Sequence, residues 1–63
     1  MFNIDVRDEI RRSGYRNYEI AAAVGLSETA FSRQMARAEL PQDKKDYIIA
    51  TIQQMRAERM GQA

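Results

Sequence analysis

The sequence predicts an all-α fold, and three observations carry that prediction. Apolar residues recur at three- and four-residue spacings, no segment alternates as a strand would, and Gly14, Gly25 and Leu40-Pro41 cut the chain into lengths suited to short helices. At 63 residues there is room for one core, because a chain of this size buries only about 60% of the surface it exposes when unfolded. An apolar share of 44% beside 30% charged residues belongs to a globular chain rather than a disordered one. One domain over 1–60 is expected, built of four helices or of five with a short extra turn, with a short tail over 61–63.

The first helix is expected over about 3–13, with Phe2, Val6 and Ile10 as a core stripe, Arg7 and Arg11 on a wetter face, and Gly14 as C-terminal cap. A second, shorter helix over 17–24 turns Ile20, Ala21 and Val24 to one side. Gly25 supplies the left-handed residue that ends it, after which Leu26 tucks back into the core. Ser27 is a good N-cap for a third helix over 28–37, since its hydroxyl can accept an orphaned backbone N–H. That helix is two-sided: Ala30, Phe31 and Met35 point one way, and Thr29, Ser32, Arg33, Ala36 and Arg37 the other. Leu40 and Pro41 break the chain. A last helix over 43–59 is expected to send Tyr47, Ile48, Ile52 and Met55 inward before Gly61 stops it.

Composition removes several functional classes. With no His and no Cys, the usual general base, thiolate nucleophile and common metal ligands are missing, so no catalytic site, metal or cofactor is expected. Asp43 and Asp46 stand beside Lys44 and Lys45 at a helix start, where acids are favoured by the helix dipole. No apolar run approaches the roughly 20 residues of a membrane helix and no signal-peptide core follows Met1, so a cytoplasmic protein is expected. Ten basic against nine acidic residues leave a net charge of +1, weak for a nucleic-acid binder. Position matters more than the sum: Arg7, Arg11, Arg12, Arg16, Arg33 and Arg37 lie in the first 37 residues, opposed there by Asp5, Asp8, Glu9, Glu19 and Glu28.

The stretch Asn-Tyr-Glu-Ile-Ala-Ala-Ala-Val-Gly-Leu-Ser-Glu-Thr-Ala-Phe-Ser-Arg-Gln-Met, from Asn17 to Met35, resembles the phage repressor and Cro-type helix-turn-helix family. Each matched position has a geometric reason. Ala21 is small where two helices cross, Gly25 makes the turn, Phe31 plugs the gap, and Ile20, Val24 and Leu26 complete the core. Two positions depart from the family: Arg16 stands where a Ser or Thr cap is usual, and Gln34 fills a slot that is often apolar, leaving Met35 to pack.

The resemblance implies a sequence-specific binder of double-stranded DNA, its third helix in the major groove. Carried over residue by residue, the base readers are Glu28, Thr29, Ser32 and Arg33. Arg33 is suited to a bidentate pair with guanine, Thr29 to thymine or either base, and Glu28 to cytosine N4. Glu28 is equally well explained as a first-turn acid. Asn17, Arg16, Ser27, Arg37 and Arg11 are the implied phosphate contacts, with helix capping the other role open to Asn17. Family members often form two-fold dimers on palindromic operators, and Ile49 and Met60, off the stripe of the last helix, are the residues expected at a homodimer interface. Two other functions fit the same scaffold: a module that binds a protein partner, and an excisionase-like accessory factor of recombination.

Overall fold

Short apolar stripes separated by left-handed caps produce four α-helices in the computed structural model, which describes residues 1–61. These are α1 (Ile4–Ser13), α2 (Asn17–Ala23), α3 (Glu28–Arg37) and α4 (Gln42–Gly61), with no strand among the described residues. The all-α expectation holds, with ends that differ by a residue or two. Gln42 already belongs to α4 because Pro41, immediately before it, offers its carbonyl to the Lys45 N–H at 3.1 Å. Gly61 lies inside the last turn instead of stopping it; of the expected tail, positions 62–63 lie outside the described residues.

The start of α1 departs most from expectation. Asn3 is not the first helical residue but its N-cap, in the left-handed region at φ 60°, a conformation that Asn tolerates better than most residues. Its side chain is fully buried. The Nδ2 amine donates to the carbonyls of Met35 at 2.9 Å and Ala38 at 3.0 Å, and Oδ1 accepts from the Leu40 N–H at 2.8 Å. One amide thus ties the start of α1 to the end of α3 and the connection beyond. Phe2, expected on the core stripe, is 45% exposed, because the left-handed step at Asn3 turns the chain away before Phe2 can extend the helix.

The core consists of Val6, Ile20, Ala21, Phe31, Met35, Ile48 and Ile52, flanked by Ile10, Tyr15, Val24, Leu26, Leu40 and Ile49. Tyr47, expected inward, is 58% exposed. It stands about 100° round α4 from Ile48, on the side away from Ile49 and Ile52, and the core covers α4 on their side only. Met55 is half-buried.

Helix α4 packs on α1 and α2, and α2 on α3. Three polar links fasten α1 to α4: Lys45 to Asp5 at 3.4 Å, Arg56 to Glu9 at 3.2 Å, and Arg59 to the Ser13 carbonyl at 3.0 Å. Both members of each link advance along the chain, so the two helices run side by side in the same direction.

Candidate nucleic-acid interface

The geometry of the α2–α3 unit is built from local rules. Gly25, at φ 83°, donates its N–H to the Ala22 carbonyl, and Leu26 donates to the Ala21 carbonyl at 2.8 Å, the paired bonds of a Schellman C-cap. One residue further, Ser27 Oγ accepts from the Ala30 N–H at 3.1 Å and starts α3. The turn therefore closes one helix and opens the next within four residues. Phe31, 2% exposed, and Met35 fall on the core side of α3, as the sequence predicts.

The opposite side of α3 carries Glu28, Thr29, Ser32, Arg33, Ala36 and Arg37, all exposed. Their side chains are short except at the three charged positions, so a partner can approach the helix closely. Glu28 is a first-turn acid, and Arg37 closes the last turn, where a cation also complements the helix dipole. Asn17 is exposed as the first residue of α2, and Arg16 occupies the N-cap position before it. A guanidinium has no acceptor, so Arg16 cannot cap with its side chain; instead its backbone N–H is held by Glu19 Oε2 at 2.7 Å. The missing Ser or Thr cap is thus replaced by half of a capping box.

Between α1, the start of α2 and α3 lies an open groove of about 470 Å³. Met1, Ile10 and Ala36 give it apolar surface over a floor of the nearly buried Phe31 and Met35, and Arg7, Arg11, Asn17 and Ser32 give it a polar side. Of the residues singled out in the sequence, Arg11, Asn17 and Ser32 are brought together here. Glu28, Thr29, Arg33, Arg16, Ser27 and Arg37 do not line the groove. Ile49 packs partly against the core of its own chain, whereas Met60 is 76% exposed. Gln34 is exposed and borders a shallower apolar depression with Leu26, Leu40 and Tyr47.

Ion pairing divides the charges in a way the near-zero total conceals. Lys45 bonds Glu39 at 2.6 Å and Asp5 at 3.4 Å, Arg56 pairs with Glu9, Arg59 lies over the Tyr15 ring at 4.5 Å, and Arg7 donates to the Phe2 and Met35 carbonyls. Those cations hold the scaffold together. Among the described residues, Arg11, Arg12, Arg16, Arg33 and Arg37 make no ion pair and no side-chain hydrogen bond, and all five are exposed. Arg12 belongs to this set too, but it stands about 100° round α1 from Arg11, on the side of Asp5 and Glu9, and does not line the groove. The Lys45 ammonium, helped by the Asn3 N–H, holds the Glu39 carboxyl below the usual carboxylate range, and Glu39 in turn raises Lys45 above the ordinary lysine value. These shifts lie in the connection between α3 and α4 and serve the fold.

No family model matches the chain, and no curated protein or solved structure matches it either. What this face can do is read from its own chemistry.

Proposed function

We propose that the chain is a sequence-specific binder of double-stranded DNA, a regulator of the repressor and Cro-like helix-turn-helix type. The observation that carries this reading is the tight Gly25 turn followed by an α3 face whose exposed side chains, Glu28 apart, are short or basic and whose arginines are unspent within the chain. An α-helix fits the major groove, and short residues such as Thr29 and Ser32 let it sit deep enough for Arg33 to reach the two acceptors of guanine. Thr29 and Ser32 address neighbouring base edges, and Glu28 accepts from cytosine N4.

The flanking cations supply most of the affinity. Arg11, Arg16 and Arg37 neutralise phosphates, Asn17 donates to one, and the Ser27 hydroxyl keeps its proton free for another while it caps α3. No cofactor enters the mechanism: the protein acts by occupying its operator and excluding or recruiting polymerase. Two copies related by a two-fold axis, meeting through Met60 with Ile49 at the edge, match a palindromic site with half-sites about 34 Å apart.

The experiment is a titration of the protein against random duplex and against DNA selected from a random pool, at two salt concentrations. Three phosphate-neutralising arginines per copy give a log–log salt slope of about −3, and a dimer about −5. One enriched, roughly palindromic sequence with such a slope is the expected result. Absence of binding tighter than about 10⁻⁴ M refutes the DNA reading. The apolar lining of the groove beside α3 then favours the second reading, a protein partner docked on the same face.

A further inference from the structure

The elbow between α1 and α2, residues Ser13 to Arg16, is anchored on the far end of α4 and not only by its own turn. The Tyr15 hydroxyl donates to the Met55 carbonyl at 2.9 Å, and the Arg59 guanidinium donates to the Ser13 carbonyl at 3.0 Å while stacking over the Tyr15 ring at 4.5 Å. Inside the elbow, Ser13 Oγ donates to the Ile10 carbonyl at 2.6 Å and accepts from the Tyr15 N–H at 3.1 Å. Gly14 takes the left-handed conformation between them, at φ 77°. Ser13 is buried although polar, and its carbonyl and hydroxyl are both satisfied by these bonds.

The anchoring is more than the core requires. Ile48 and Ile52 already seat α4, whereas Met55 is only half-buried and Arg59 lies in an otherwise exposed turn beyond it. What the contacts hold is the backbone directly before Arg16 and Asn17. Arg16 itself makes only backbone bonds: its N–H to Glu19, and its carbonyl to the Glu19 and Ile20 amides at 3.0 and 3.3 Å.

We infer that Tyr15 and Arg59 are positioning residues for DNA: the last turns of α4 fix the elbow so that Arg16 and Asn17 present their side chains at one distance from α3. The inference rests on the proposed function and gives the last turns of α4 a role in it. A phosphate contact held at fixed distance from the reading helix sets register, whereas a loose one contributes only attraction. Loss of the clamp should therefore weaken the selected site more than random duplex.

The test uses Tyr15→Phe, which keeps the ring and every charge and removes only the bond to the Met55 carbonyl, together with Arg59→Ala and Arg59→Lys. Amide hydrogen exchange on the free protein reads the clamp without DNA. Exchange at Glu19 and Ile20 should rise roughly tenfold in Tyr15→Phe and in Arg59→Ala, with the Phe31 amide unchanged and partial recovery in Arg59→Lys. Unchanged exchange at Glu19 and Ile20 overturns the clamp, whatever the protein binds. On DNA, Tyr15→Phe should reduce affinity for the selected site several-fold and for random duplex little, and the loss should vanish in an Arg16→Ala/Asn17→Ala background, as coupled residues require. Equal losses on both DNAs, or a loss that persists in that background, overturn the positioning role. If the wild-type protein binds no duplex at all, the proposed function itself fails, and with it the DNA role of the clamp.

Discussion

Replacing Asn3 by Ala tests how much of this small fold hangs on one amide. The substitution removes the donors to the Met35 and Ala38 carbonyls and the acceptor for the Leu40 N–H. Met35 keeps a partner, since the Arg7 guanidinium donates to the same carbonyl at 3.2 Å. The Ala38 carbonyl and the Leu40 N–H lose theirs; both bonds are only partly buried, so water can replace them in part and each costs about 0.5–1.5 kcal/mol. Holding Ala at the φ of 60° required there adds about 1–2 kcal/mol. The sum, about 2–5 kcal/mol, is a large part of the whole stability expected of a domain this size, about 3–9 kcal/mol. Asn3→Ala should therefore unfold at a much lower urea concentration than wild type at 25 °C, as read by far-UV circular dichroism. Asn3→Gly loses the same bonds without the backbone strain and should sit about 1 kcal/mol above the Ala variant. Should Asn3→Ala lose less than about 1 kcal/mol, the amide is not the tie described, and the end of α3 is held by its apolar contacts alone.

Three further outcomes can be checked. Arg33→Ala should cost about 1–3 kcal/mol at the selected DNA site and relax preference at one base pair, measured by competition with single-base variants; an equal loss on all sequences makes Arg33 a phosphate contact. Gly25→Ala should destabilise by about 1–2 kcal/mol in urea unfolding, wholly from the positive φ, because a Cβ there meets no atom within 4 Å. A larger loss means that the turn is tighter than its surroundings show. The native Glu39 carboxyl titrates below its unfolded value, so its contribution is complete above the ordinary carboxylate range and disappears as pH falls through the lowered native value. Thermal unfolding midpoints between neutral and acid pH should fall less steeply in Glu39→Gln than in wild type, and parallel curves refute the assignment.

What was legible in the sequence was local. Gly25 followed by Leu26 and Ser27 specifies a helix end and a helix start by hydrogen bonds spanning five residues or fewer, and the structure makes those bonds. Ile48 with Ile52 was legible for the same reason, as one stripe of one helix. Periodicity points Tyr47 and Phe2 inward because it gives the direction of a face but not its width or length; both lie where neighbouring helices fail to cover them. The face of α3 was legible because exposure there follows directly from which residues face Phe31 and Met35.

The sequence by itself determined the helices, their caps and the two faces of α3, since each depends on residues a few positions apart and on backbone preferences that act before the chain compacts. Only the tertiary structure decided which charges are free. Lys45, Arg56 and Arg59 are drawn to Asp5, Glu9 and the Ser13 carbonyl across 40 or more positions, with |i−j| of 47 for Arg56–Glu9 and 46 for Arg59–Ser13, because α4 lies along α1 in the same direction. The same packing buries Asn3 against carbonyls 32 and 35 residues away. Distance along the chain hides such partners, and among the described residues Arg11, Arg12, Arg16, Arg33 and Arg37 have none and face outward.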